Sequence, residues 1–409
     1  MSGSAGTTDH AGAAESEPER LVTGYSGRLL LAVSLGWTSI QGGRLLLSPL
    51  LPAISTDLGL SSTRAGVAIT VVWGLYALLQ YPSGRLSDRL SRTTLLVGGL
   101  CLACVGFLAL AAATTYPALL AGAAVVGLGA GLYPTPARGL VSDLFVERRG
   151  QAFGIHTASG DLGGVVAAGL ATLVLAVATW RAGFPLVVAV LAGVALALHV
   201  WSREGYVLER VGLAVGETGR RLFAEPRLRW LLVAYSLYAF SWQSAVSFLP
   251  TYLQAGKSFS PALANAGFGA LFVVGAVVKP LAGAVGDRFR RDLVAPAALA
   301  LAAVALAGVV VASTPALVVV GVACFAAGLM AYPPVMQAYL MDSFPTDSMG
   351  GDLGAMRTFY IGLGALGPTY VGAVADAFDY RVAFAGLVGC LFVSTGLVLV
   401  GGRAGRRAA

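Results

Sequence analysis

The chain has 409 residues, of which 57% are hydrophobic and only 11% charged, and its mean hydropathy is +0.78. A soluble protein of this length carries roughly 25% charged residues, so the composition excludes a soluble enzyme, a nucleic-acid-binding domain and a disordered chain. The basic balance, 27 Lys and Arg against 20 Asp and Glu, therefore calls for a membrane explanation.

The first twenty residues are polar and acidic (Asp9, Glu15, Glu17, Glu19) with no apolar core, so residues 1–27 read as a disordered tail and not as a signal peptide. A bilayer core of about 30 Å takes about 20 apolar residues in a helix. Twelve segments meet that: 28–53, 63–82, 94–113, 116–141, 151–178 and 182–201, then 229–252, 262–285, 293–312, 316–341, 353–375 and 382–401. This predicts an all-α membrane protein of two six-helix bundles, 28–201 and 229–402, joined by a charged linker at 202–228 and followed by a basic tail at 403–409. With the N-terminus inside, the cytoplasmic segments hold nineteen of the 27 basic residues and the outer loops four, Arg64, Arg181, Lys257 and Arg381. The positive-inside rule then puts both termini in the cytoplasm of a cell-membrane protein.

In span 1, Trp37, Gln41, Arg44 and Ser48 recur at helical spacing and form one polar stripe. Arg44 lies about 16 residues into the span, far from either end. Cys101, Cys104, Cys324 and Cys390 all fall in apolar stretches, so no disulfide framework is expected, and the C-x-x-C pair reads as packing. In span 4, Gly127, Gly129 and Gly131 allow close helix approach, and Pro134 and Pro136, with Pro333 and Pro334 in span 10, free backbone carbonyls for bending. Of the 20 acidic residues only Asp161, in span 5, lies well inside a span. A buried charge costs about 2.5–3.5 kcal/mol on insertion scales, so Asp161 and Arg44 each need a partner or a role, and pairing with one another is one option. His156 titrates near neutrality but sits about 140° around the helix from Asp161; it is either a proton carrier or a hydrogen-bonded structural residue. Arg138, Lys279 and Arg357 fall near the ends of spans 4, 8 and 11, where they are expected to snorkel or meet Asp88, Asp143 and Asp352, with Lys279 also able to line the inner cavity.

Two stretches repeat at an offset of 199, the sign of duplicated halves. Gly84-Arg85-Leu86-Ser87-Asp88-Arg89-Leu90-Ser91-Arg92 returns as Gly283-Ala284-Val285-Gly286-Asp287-Arg288-Phe289-Arg290-Arg291, and Tyr133-Pro134 returns as Tyr332-Pro333. The loop G-x-L-x-D-R-x-x-R between spans 2 and 3, with its echo between spans 8 and 9, resembles the signature loop of the major facilitator superfamily, and the resemblance extends over residues 28–402. Three positions depart from the family's patterns. Ser91 stands where a glycine is usual, and Ala123 stands where many members have an arginine. Span 5 reads Ser159-Gly160-Asp161-Leu162-Gly163-Gly164 without the proline of proton-driven drug exporters, which counts against drug efflux.

The resemblance implies a secondary transporter whose halves rock about a midplane site. It implies an inner-face latch made of Gly84, Asp88, Arg89 and Arg92 with Gly283, Asp287, Arg288 and Arg291. Spans 1, 4, 7 and 10 of the family line the central cavity. The span 1 stripe and its copy at the same offset, Ser236, Phe240, Gln243 and Ser247, are then expected to face it, joined by Tyr133 and Tyr332. The expected substrate residues are Trp37, Gln41, Arg44, Tyr133, Phe240, Gln243 and Tyr332. Arg44 suits an oxyanion, because a guanidinium offers a forked and permanent charge, and Asp161 with His156 are the candidates for carrying protons. Export of hydrophobic or cationic compounds, with Asp161 meeting the cation, is a second reading, and a transporter-like receptor is a third. No phosphate-binding loop, spaced metal cluster or catalytic triad is found, so the expectation is a non-enzymatic monomer that uses no cofactor, metal or nucleic acid and works on a small molecule in the lipid bilayer.

Overall fold

The computed structural model describes residues 19–87, 89–207, 209, 226–341 and 349–408. Among them every regular element is helical. In the first half α1 is Gly24–Leu58, α2 Ser62–Leu78, α3 Gln80–Ser87, α4 Arg92–Ala111, α5 Tyr116–Leu132, α6 Pro134–Leu144, α7 Arg149–Val177 and α8 Gly183–Trp201. In the second half α9 is Pro226–Lys257, α10 Pro261–Arg288, α11 Arg291–Val311, α12 Pro315–Met341, α13 Met349–Gly364, α14 Gly367–Ala377 and α15 Tyr380–Ala408.

These boundaries follow from local chemistry. Ser61, Ser91, Thr115 and Ser260 each accept the backbone N–H three residues on, which caps α2, α4, α5 and α10. Gly59 ends α1 in the left-handed conformation, φ 59°. Three predicted spans are broken in two. Span 4 breaks at Tyr133, ahead of Pro134, and span 11 at Ala365–Leu366, ahead of Pro368, where proline supplies no N–H and crowds the preceding turn. Span 2 breaks at Leu79 without a proline. Span 10 stays one helix through Pro333 and Pro334, so the repeat is not copied at this bend.

The ends also differ from the sequence expectation. The first helix starts at Gly24, inside the predicted tail, and the last runs to Ala408, through the predicted basic tail. The central linker lies largely outside the described residues. Among the described residues, nine helical stretches are long and apolar enough to cross a bilayer on their own. The three predicted spans that fall short carry Arg44, Gln243 and Arg357, polar groups that face the interior instead of lipid. Leu31, Val105, Leu173, Leu281, Val304 and Val393 are among the large apolar side chains exposed on the outside, as a lipid-facing belt requires.

An even number of crossings returns the chain to the face where it began, called here the tail face. Glu19 is tied to that face, accepting from the backbone N–H groups of Val146, Glu147 and Arg148 at 2.6, 3.1 and 3.0 Å. On the far face the halves close against each other. Asp376 at the end of α14 caps α2: Oδ1 accepts from Ser62 N at 2.9 Å, and Oδ2 accepts from Thr63 N at 2.8 Å and Thr63 Oγ1 at 2.6 Å. Tyr380 donates to Ser62 Oγ at 3.0 Å, and Thr70 donates to the Ala365 carbonyl at 2.6 Å. Gly66 lies against the Pro368 carbonyl and Gly372 against that of Ser62, with no room for a Cβ at either. Ser48 on α1 adds contacts to the carbonyls of Val246 and Ser247 on α9, at 2.5 and 2.9 Å.

Candidate functional site

Between the halves lies a cavity of about 230 Å³, bounded by α1, α2, α7, α9, α10, α12 and α13. Its first wall is the polar stripe of α1, where Trp37, Gln41 and Arg44 all line the cavity as the sequence places them. The Arg44 guanidinium is buried and covered by two rings of α2, with Cζ 4.2 Å from the Trp73 centroid and 3.9 Å from that of Tyr76. Each such contact stabilises a buried cation by about 0.5–2 kcal/mol while leaving the guanidinium edge free. Nε and Nη1 of Arg44 make no hydrogen bond with any described residue, nor do Oε1 of Gln41 and Oε1 of Gln243.

Glycines set the depth of α7. Gly163 meets the Thr38 carbonyl of α1, and Thr38 Oγ1 donates to the Ser159 carbonyl at 2.8 Å, so α7 lies flat on α1. That close approach presents Asp161 to the cavity, and on the opposite side Gly164 meets the ring of Phe272 on α10. Asp161 does not pair with Arg44. Its Oδ1 accepts from Lys279 Nζ at 2.5 Å, an ion pair that crosses from one half to the other. The two side chains are 12% and 27% exposed, so each neutralises much of the other's cost of leaving water.

The wall from the second half is aromatic. Tyr235, Tyr238 and Trp242 of α9 line it beside Gln243, whose Nε2 donates to the Ile361 carbonyl at 3.0 Å. Tyr235 stacks on Tyr360 at 3.9 Å, and Trp242 meets Trp73 edge-on at 5.3 Å across the halves. Arg357 completes the lining, with its Nε unpaired among the described residues. Lys279 and Arg357, expected chiefly at the headgroups, thus stand in the cavity wall. Arg138 faces a separate hollow on the tail face.

Three expected substrate residues stand elsewhere. Tyr133 is fully buried and donates to the Val33 carbonyl at 2.9 Å, because the break before Pro134 turns it into α1. Tyr332 packs behind the wall on Tyr238, centroids 4.6 Å apart, and Phe240 points to Tyr370 at 5.3 Å. His156 is buried behind Trp37, ring centroids 6.1 Å apart, and no hydrogen bond joins it to Asp161.

The latch residues also find partners close by. Arg92 bonds Asp143 at 3.3 Å and the carbonyl and hydroxyl of Ser87, all within the first half. Asp287 pairs with Arg291 at 2.8 Å within the second. Gly84 lies in α3, Gly283 and Arg288 in α10, and Arg89 in the turn before α4. Asp88 falls outside the described residues.

A polar cavity between two six-span bundles of a multi-pass membrane protein defines a carrier of small solutes. The sequence profile of the Major Facilitator Superfamily matches residues 30–368 and 231–407. The chain belongs to that superfamily and is a secondary transporter. It is 24% identical over 386 residues to a glycerol-3-phosphate transporter of Bacillus subtilis, covering 86% of each chain. It is 28% identical over 342 residues to a gentisate transporter of Corynebacterium glutamicum, covering 78% of this chain and 71% of that one. In fold it is similar to a bacterial homolog of the human lysosomal transporter Spinster, seen inward-facing and unoccupied, with TM-score 0.81, 18% identity and coverage of 93% and 97%.

Proposed function

We propose that this transporter carries a small organic anion across the cell membrane by alternating access, with the tail face in the cytoplasm. The observation that carries the reading is the charge of the cavity wall: three cations, Arg44, Lys279 and Arg357, face one carboxylate, Asp161. The free edge of Arg44 offers two donors to a carboxylate or phosphate, and the rings around it suit an apolar remainder. A volume of about 230 Å³ sets the size at the small end of ligand sites. Glycerol 3-phosphate and gentisate, named for the two relatives, are both small organic anions. The positive-inside count supports the orientation.

Asp161 is already engaged by Lys279, which argues against a cationic substrate. It also supplies a route for coupling. An anion that draws Lys279 away leaves the carboxylate unpaired at membrane depth, and a proton then restores neutrality. His156, outside the wall, has no part in this step.

Thermal unfolding of the purified protein against panels of anions, cations and neutral compounds tests the reading. A true ligand at 100 times its dissociation constant adds about 2.7 kcal/mol of stability. Stabilisation by organic phosphates or aryl carboxylates is expected, weakened about 100-fold in Arg44→Gln through loss of ~3 kcal/mol of charge-assisted bonding. Stabilisation by lipophilic cations that survives Arg44→Gln and fails in Asp161→Asn refutes it. For coupling, Asp161→Asn is expected to stop proton-driven uptake while sparing counterflow.

A further inference from the structure

A second hollow, of about 480 Å³, opens on the tail face between α3, the start of α4, α6 and α13. Its polar lining includes Arg85, Arg92, Arg138, Gln80, Thr135 and Ser142. Of the three guanidiniums, Arg92 is held by Asp143 and Ser87, whereas Arg85 and Arg138 form no ion pair with any described residue. The hollow adjoins the central cavity. Gln80 reaches back one turn to the carbonyl of Tyr76 at 3.2 Å, and Tyr76 is the ring under Arg44. Gly354 of the hollow lies one turn before Arg357 of the central cavity on α13. Arg44 and Arg357 line the central cavity and Arg138 and Arg85 the hollow, so cations continue from one to the other. Like charges held together at or near membrane depth are costly unless an anion joins them.

We propose that the tail-face hollow is a second oxyanion site, which takes a phosphate or carboxylate group between Arg85 and Arg138 at the mouth of the central cavity. Two sources share this chemistry: the transported anion on its way to or from the cavity, and the phosphate of an acidic lipid. Only the first rests on the anion reading of the central cavity. A staging site outside the cavity raises the local concentration of anions at its mouth and gives a leaving substrate a next position one short step away.

Inorganic phosphate titrated at constant ionic strength into the full chain, in neutral detergent without acidic lipid, tests this through the rise in unfolding temperature. In Arg44→Gln a phosphate-dependent rise is expected to remain. In Arg85→Gln/Arg138→Gln the half-saturating phosphate concentration for that component is expected to move up at least tenfold, and the paired lysine variant is expected to restore it. A rise lost in Arg44→Gln and unchanged in the double glutamine variant overturns the second site and leaves the central reading standing. A rise that Arg44→Gln leaves wholly intact and the double variant abolishes supports the second site and counts against the central one. A rise that neither alters overturns both. Repeating the titration in nanodiscs of phosphatidylcholine and of phosphatidylglycerol identifies the occupant: a response lost only in phosphatidylglycerol supports the site as a lipid-headgroup site, and a response kept in both supports it as a station for the transported anion.

Discussion

Replacing Asp376 with asparagine keeps the shape of the far-face cap and removes its charge. In the native protein the carboxylate accepts three hydrogen bonds, from Ser62 N, Thr63 N and Thr63 Oγ1. An amide keeps one acceptor oxygen, which turned toward Thr63 retains those two bonds, and its NH₂ then faces the Ser62 N–H, so one of the three bonds goes and two donors are set against each other. Hydrogen bonds to charged groups are worth about 1.5–3 kcal/mol each, and the negative charge at the start of α2 adds about 0.3–1 kcal/mol. Asp376 is exposed, and after discounting for solvent we expect about 1–2 kcal/mol less in favour of the closed far face. That is about a 5–30-fold rise in the population with this face open. The assay is the alkylation rate of Thr369→Cys, whose side chain meets Thr70 across the seam, by a bulky impermeant reagent in a background lacking the four native cysteines. A rate raised 5–30-fold fits; an unchanged rate in a folded variant refutes the cap. The cap also carries a pH signature. Burial works against the charge on Asp376, but the hydrogen bonds from Thr63 and Ser62 outweigh it and hold the carboxyl down at about 2. A carboxylate lowered in the closed state stabilises closure above its ordinary pKa, and that contribution is lost only as pH falls through about 2. Asp376 therefore contributes nothing to pH dependence of far-face opening between about pH 5 and 8.

Three further outcomes follow from the same geometry. Lys279→Gln leaves Asp161 a buried, unpaired charge, which costs about 3–5 kcal/mol; the unfolding temperature is expected to fall and to recover in Lys279→Gln/Asp161→Asn, whereas additive losses would count against the pair. Gly66→Val places a branched side chain against the Pro368 carbonyl, so the far face is expected not to close: transport is lost with the fold retained, and the Thr369→Cys probe reacts fast throughout. His156→Gln is expected to leave the pH profile of transport unchanged, because His156 sits behind Trp37 and not on the cavity wall; a displaced profile would assign it a proton.

The sequence carried the fold because hydropathy is a one-dimensional signal, and twelve apolar runs have few ways to cross a bilayer. It carried the first wall of the cavity for a similar reason: Trp37, Gln41 and Arg44 fall on one helical face and include a charge lipid would not accept. The second wall was misplaced by one residue except at Gln243, which lines the cavity as expected. The repeat offset is 199 at the tail-face loops, yet the lining residues Trp37, Gln41 and Arg44 match Tyr235, Ala239 and Trp242 at 198, the spacing that also separates Ser48 from the Val246 carbonyl it bonds. One residue turns a helix by about 100°, enough to carry Phe240 from the predicted cavity face to Tyr370. The partner of Asp161 was not legible either, since nothing local links span 5 to span 8. Lys279 read mainly as a headgroup anchor, but α10 continues nine residues past it to Arg288, roughly 13 Å, which keeps it well inside the bundle.

The far-face seam has a consequence for the energetics of rocking. Where Gly66 and Gly372 meet opposing carbonyls, the surfaces that touch are backbone, already fixed within helices. Closing such a surface freezes no rotamers, whereas ordering a long side chain costs up to about 1.5–2 kcal/mol of entropy. The entropic toll of closure therefore falls on a few groups, chiefly Asp376, Thr63, Thr70 and Tyr380. A carrier built this way can have its resting bias reset by single substitutions at those positions while its cavity, and so its selectivity, stays as it was.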